Sequence, residues 1–118
     1  MKRESSAFLF GDHIAVERIE PGIQRQLLGY GETILMARVT FDQDAVGALH
    51  RHPHAQATYV ESGEFDVTIN GERQRLRRGD GFYVTPHQEH GAVCRKPGVL
   101  IDVFSPARED FLKEQPPA

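Results

Sequence analysis

The sequence predicts an all-β fold, a barrel or sandwich of short strands. Three observations carry that prediction. Short apolar and β-branched runs recur between residues 23 and 104, and some alternate strictly, as Phe65, Val67 and Ile69 do with Glu64, Asp66 and Thr68. Turn-forming Gly, Pro and Asn pairs separate the runs, at Pro21-Gly22, Asn70-Gly71, Gly79-Asp80-Gly81 and Lys96-Pro97-Gly98. No internal repeat, low-complexity segment or linker divides the 118 residues, which suffice for one core, so residues 1–118 are expected to form one domain.

Taken in order, residues 1–20 are mixed, with weak strand character at Ile14, Val16 and Ile19. Pro21-Gly22 turns the chain into a short strand over 23–28, and Gly29-Tyr30-Gly31 turns it again. Residues 33–41 are a strong strand candidate, broken by Asp42-Gln43-Asp44. Gly47 leads into His50-Arg51-His52, and Pro53, which has no N–H for a ladder, bends or ends that strand. A second strand over 55–61 closes at Ser62-Gly63. Strands over 64–69 and 72–78 flank Asn70-Gly71, a type I′ hairpin signal, and put Arg73, Arg75 and Arg77 on a solvated face. Residues 82–85 form a short strand stopped by Pro86. Strands over 91–95 and 99–104 follow, separated by a turn at Lys96-Pro97-Gly98. Ser105-Pro106 offers an N-cap and a first helical residue for one or two turns over 107–113, and the tail from Gln115 is expected to fray.

Net charge is −3 and pI about 6.0, which argues against a nucleic-acid partner. The single cysteine, Cys94, excludes a disulfide framework and a cysteine-rich zinc site. The apolar run Ala7-Phe8-Leu9-Phe10 is too short for a signal-peptide core, and no stretch approaches the roughly 20 apolar residues of a membrane span. A soluble cytoplasmic protein without a membrane partner is expected.

The chemistry concentrates around His50, His52 and His54, half of the six histidines. On a strand, His50 and His52 point to one face, and two such imidazoles are half of a transition-metal site. Gln56 and His90 are candidates for the rest. On one straight strand His50 and Gln56 would lie about 20 Å apart at roughly 3.3 Å per residue. The chain must therefore turn near Pro53-His54 for both to reach one ion. If Gln56 points inward, Glu61 points outward and is a solvated charge.

Gly47, His50-x-His52-x3-Gln56 and Gly63, followed by Gly81-x4-Pro86-x3-His90, resemble the two-motif signature of the cupin superfamily. The resemblance implies a double-stranded β-helix, or jelly-roll barrel, with a short C-terminal helical turn. A narrower resemblance joins His50-x-His52-Pro53-His54-x-Gln56, Glu89-His90-Gly91 and the segment from Val99 to Leu112 to the pectin-degradation cupins. Those proteins open the ring of 4,5-unsaturated uronate monosaccharides left by pectin and alginate lyases, giving a linear 4-deoxy-5-keto-uronate. The resemblance implies one divalent transition metal per chain, Zn, Ni, Mn or Fe, on His50, His52, Gln56 and His90. It implies Asp102 as the acidic catalytic group, with Phe104 and Arg108 in the matching tail.

Each residue has a plainer reading. His50 and His52 could be surface histidines on an edge strand. His54 and His87 suit a rim or loop better than a metal shell. Asp102 interrupts an apolar strand, where a carboxylate tends to be paired or functional. Phe104 shares its face and could be core. Arg108 suits a substrate carboxylate by its bidentate fork, or caps the C-terminal helix. Arg25 and Arg38 are rival carboxylate clamps, with surface snorkelling as the alternative. The expected function is metal-dependent ring opening of a sugar acid, by a homodimer. A non-catalytic sugar-binding cupin and a cupin dioxygenase are the alternatives. An all-neutral ligand set favours Lewis-acid chemistry over oxygen activation.

Overall fold

The structure, a computed structural model, describes residues 3–113, so the expected frayed tail lies outside the described residues. A single 3-10 turn at Gly11–His13 precedes eight strands: β1 (Glu17–Glu20), β2 (Ile23–Tyr30), β3 (Leu35–Phe41), β4 (Val46–His50), β5 (Ala55–Ile69), β6 (Glu72–Arg77), β7 (Gly81–Val84) and β8 (His90–Ser105). Helix α1 (Glu109–Lys113) follows. The strand pairings are antiparallel.

Two long strands organise the barrel. β5 and β8 pair along their whole length, from Ala55 opposite Ser105 to Ile69 opposite His90. At one end they are flanked by β7 and β3, giving the order β1-β2-β3-β8-β5-β7. At the other end they are flanked by β4 and β6, giving β4-β8-β5-β6. Two sheets therefore share two strands that bend from one to the other. The sheets face each other: Phe41 of β3 meets Phe65 of the far half of β5 edge-to-face at 5.2 Å. Leu35, Ala37, Val39, Val60, Phe65, Val67, Cys94 and Leu100 fill the space between.

The bends correct the sequence reading. Ser62-Gly63 and Lys96-Pro97-Gly98 were expected as turns; both lie inside continuous strands. The β5–β8 register is irregular there, stepping from Ser62 opposite Val99 to Glu64 opposite Lys96. Gly63 has φ of 80°, and a Cβ on it would lie 2.6 Å from the Gly98 Cα. A turn and a bulge call for the same chemistry, positive φ and no side chain, so the local sequence reads alike for both.

Smaller shifts follow the same logic. β2 runs on to Tyr30 through an irregularity at Leu27 to Gly29, so the turn falls later than Gly29-Tyr30-Gly31. α1 begins at Glu109 rather than at Pro106, because β8 continues to Ser105. The arginine stripe is exposed but not merely solvated. Arg73 and Arg75 join Arg95 on Asp66, whose side chain is 5% exposed, with contacts of 2.6–2.8 Å. These guanidiniums hold the Asp66 carboxyl well below the usual carboxylate range.

Candidate metal centre and cavity

Each sheet contributes one cross-strand pair to the site. His50, the last residue of β4, lies opposite His90, the first of β8, with ring centroids 4.3 Å apart. His52 does not share His50's strand as expected. It follows the end of β4, in the bend before β5, and its ring reaches 4.8 Å from that of His90. His52 and His90 are buried and His50 is exposed.

Local hydrogen bonds aim all three rings. Nδ1 of His50, His52 and His90 bonds the carbonyls of Ala48, His54 and Gln88 at 2.9, 3.0 and 2.9 Å. With Nδ1–H as the donor, Nε2 carries a lone pair. Gln56 Oε1 lies 3.0 Å from His52 Nε2 and 3.1 Å from His90 Nε2. In that tautomer three lone-pair atoms crowd together with no proton to share, an arrangement a cation relieves. The spacing suits neighbouring ligands of a divalent ion held at about 2.0–2.2 Å. One ligand atom from each of His50, His52 and His90 lies within 4.8 Å of the others, so the three can hold a metal ion. Burial lowers the pKa of His52 and brings that of His90 down to about 4, which favours the neutral imidazole at both.

The other sheet supplies Gln56, Thr58 and Asp102. Gln56, Thr58 and Val60 alternate inward along β5 while Glu61 is exposed, as expected. The chain turns between β4 and β5, as the distance argument requires. It crosses to the facing sheet, and Gln56 reaches the histidines across the barrel. Thr58 stands opposite Asp102 in the β5–β8 ladder, and its hydroxyl donates to Asp102 Oδ1 at 2.6 Å. Gln56 Nε2 donates to Thr58 Oγ1 at 2.9 Å and to Asp102 Oδ1 at 3.4 Å. Asp102 is partnered, and loss of solvent pushes its pKa up to about 6 against the pull of the Thr58 hydrogen bond.

A cavity of ≈ 780 Å³ is lined by His50, Gln56, His90, Asp102, Phe104 and Arg108, among others. Phe104 is buried, edge-on to His52 at 5.7 Å and beneath the Arg108 guanidinium at 4.9 Å. Arg108 is bidentate to Asp110 at 3.0 and 2.7 Å, so it engages the helix start and the cavity together. Arg25 faces the cavity as well. Arg38 does not: it sits between inward Ala37 and Val39, on the outer face of β3, and donates to Gln26 Oε1 at 3.2 Å. As a rival clamp it is excluded. His54 packs on His52 at 5.5 Å outside the cluster, and His87 is an exposed loop residue.

A family model described as "Cupin domain" matches residues 37–104. The chain is a cupin. It is 37% identical over 107 residues to the pectin degradation protein KdgF of Dickeya dadantii (strain 3937), covering 89% of this chain and 97% of that one. An RmlC-like cupin from Shewanella frigidimarina NCIMB 400 superposes with a TM-score of 0.90 at 46% identity, over 92% and 97% of the two chains. KdgF from Halomonas sp. superposes with a TM-score of 0.86 at 40% identity, over 89% and 99%.

Three residues of this cupin's cavity region escaped the sequence reading. Thr58 had a signal, since it shares Gln56's face by period two. Glu17 had none, and Phe111 lies in the matching segment from Val99 to Leu112 without a role assigned to it. Glu17 depends on the register of a four-residue edge strand, and Phe111 on where a five-residue helix folds back.

Proposed function

We propose that this cupin is a metal-dependent enzyme that opens the ring of 4,5-unsaturated uronate monosaccharides to a linear 4-deoxy-5-keto-uronate. The observation that carries the proposal is the place of Asp102. A carboxyl with a pKa of about 6 stands one side chain away from the three-histidine cluster, in the same cavity. The similarity to two KdgF proteins supports the substrate class.

The substrate is a hemiacetal at C1 and an enol ether at C5. Removing the O1 proton breaks the C1–O5 bond, leaving an aldehyde at C1 and an enolate at C5; protonating C4 of the enolate gives the ketone. One proton leaves and one arrives, so a single carboxyl can do both. At a pKa of about 6, both forms of Asp102 are populated near neutral pH. Thr58 and Gln56 both donate to Oδ1, which leaves Oδ2 for the proton. Arg108 keeps three of its five N–H donors outside the Asp110 pair for the substrate carboxylate. A divalent ion on His50, His52, Gln56 and His90 would supply Lewis acidity where charge develops on oxygen.

The test follows the conjugated C4=C5 absorbance of an unsaturated uronate with purified, metal-supplied protein, minus the uncatalysed rate. The expected result is a rate well above background that chelation abolishes and removal of oxygen leaves unchanged. No rate above background refutes ring opening, and a need for oxygen points to the dioxygenase alternative.

A further inference from the structure

The cavity wall carries a charged pair that the ring-opening chemistry does not use. Glu17 of β1 and Arg25 of β2 stand opposite each other in the β1–β2 ladder. Arg25 Nη2 donates to Glu17 Oε2 at 3.2 Å. The two side chains are 3% and 15% exposed. The Arg25 guanidinium lies 3.7 Å from the centre of the Phe111 ring, which also carries Arg108 at 4.2 Å. The terminal helix thus fixes the pair from a second side.

Glu17 has one oxygen to spare. Its Oε1 is buried and accepts no hydrogen bond among the described residues. Such an acceptor is costly unless something donates to it. Glu17 repels a second carboxylate. Neutral hydroxyls suit the pair. One hydroxyl donates to Glu17 Oε1 while its neighbour accepts from the guanidinium, and a sugar ring presents hydroxyls in that vicinal arrangement.

We propose that Glu17 and Arg25 form the hydroxyl-recognition edge of the cavity, binding the vicinal ring hydroxyls of the sugar acid. The proposal rests on the ring-opening reading for its substrate class and adds the residues that tell a sugar acid from a plain carboxylate.

The experiment compares two ligands by calorimetric titration of metal-supplied protein. Galacturonate has the ring, the carboxylate and the hydroxyls; tetrahydropyran-2-carboxylate has the ring and the carboxylate alone. In Glu17→Gln the amide oxygen can still serve Arg25, but an NH2 replaces the free acceptor. Affinity for galacturonate should fall about 10–100-fold, the range for a lost hydrogen bond to a charged group. Affinity for tetrahydropyran-2-carboxylate should stay within about twofold. In turnover the loss should appear in KM with kcat nearly unchanged, the pattern of uniform binding. Glu17→Asp, which keeps the charge but withdraws the carboxylate, repeats the test if Glu17→Gln does not fold. Equal losses for both ligands, no loss for either, or no binding of galacturonate by wild type overturns the proposal. A wild type that binds galacturonate through its hydroxyls but opens no ring refutes the proposed function and leaves this edge standing.

Discussion

Asp102→Asn separates a catalytic carboxyl from a structural one. Asn keeps an Oδ1 that can accept from Thr58, now at 2.6 Å, and from Gln56, now at 3.4 Å. Only Oδ2 changes, from a proton carrier to an NH2. Gln56 should therefore stay in place, and metal affinity should be little altered. Turnover should fall by about 10²–10⁴, the usual contribution of a general acid–base group. Stability should move the other way. The folded pKa of Asp102 is about 6 against an ordinary 3.8, so the folded state binds the proton more tightly than the unfolded state. Above pH 6 the ionised carboxylate costs stability, a cost that builds as pH rises from about 4 to 6. Removing it should gain on the order of 1–3 kcal/mol at pH 7, less whatever solvent screening the half-buried site retains. Denaturant melts and the C4=C5 absorbance assay on metal-loaded variant give both numbers. A variant that opens the ring as fast as wild type, or that is slow only because it is unstable, refutes the proton-shuttle role.

Other consequences follow from the same contacts. Gln56→Glu should keep or tighten metal binding, read by competition with a chromophoric chelator, but lower turnover. It exchanges the Nε2 donor for an oxygen beside Asp102, and a carboxylate ligand weakens the ion's Lewis acidity. Gly98→Ala should cost about 3 kcal/mol or more in urea unfolding, because its Cβ would meet the Ser62 carbonyl and the Gly63 Cα, backbone atoms that cannot rotate away. Asp66 is depressed in the folded state, so its stabilisation is present above its ordinary 3.8 and lost as pH falls below it. Melting temperature should drop below pH 4 in wild type, and less steeply in Asp66→Asn.

The site was legible because its residues break the pattern around them. Histidines two apart beside a proline, a glutamine on an inward position and an aspartate within an apolar strand each stand out from their neighbours. What joins them did not. Gln56 meets His90 across 34 residues and Asp102 across 46, and nothing local encodes those distances. The strands themselves were visible, but β5 and β8 each read as two, since a glycine that bends a strand looks like a glycine that turns the chain. Arg38 and Arg25 looked equivalent because both interrupt apolar strands. Only the register of β2 and β3 shows that one faces the cavity and the other the outside.

The residue at position 56 explains why the centre and the acid belong together. An amide has an acceptor end and a donor end, and this one uses both. Its oxygen faces the two imidazole Nε2 atoms, and its NH2 donates to Thr58 and Asp102. A carboxylate there would satisfy the cluster but present an acceptor to Asp102, driving that carboxyl further toward its neutral form. An apolar residue would serve neither side. Glutamine matches both a metal-capable cluster on one sheet and a carboxyl with a pKa of about 6 on the other. Charge placed at the cluster is felt at Asp102 through one side chain. The two halves of the proposed chemistry are thereby held in fixed relation by a residue that titrates with neither.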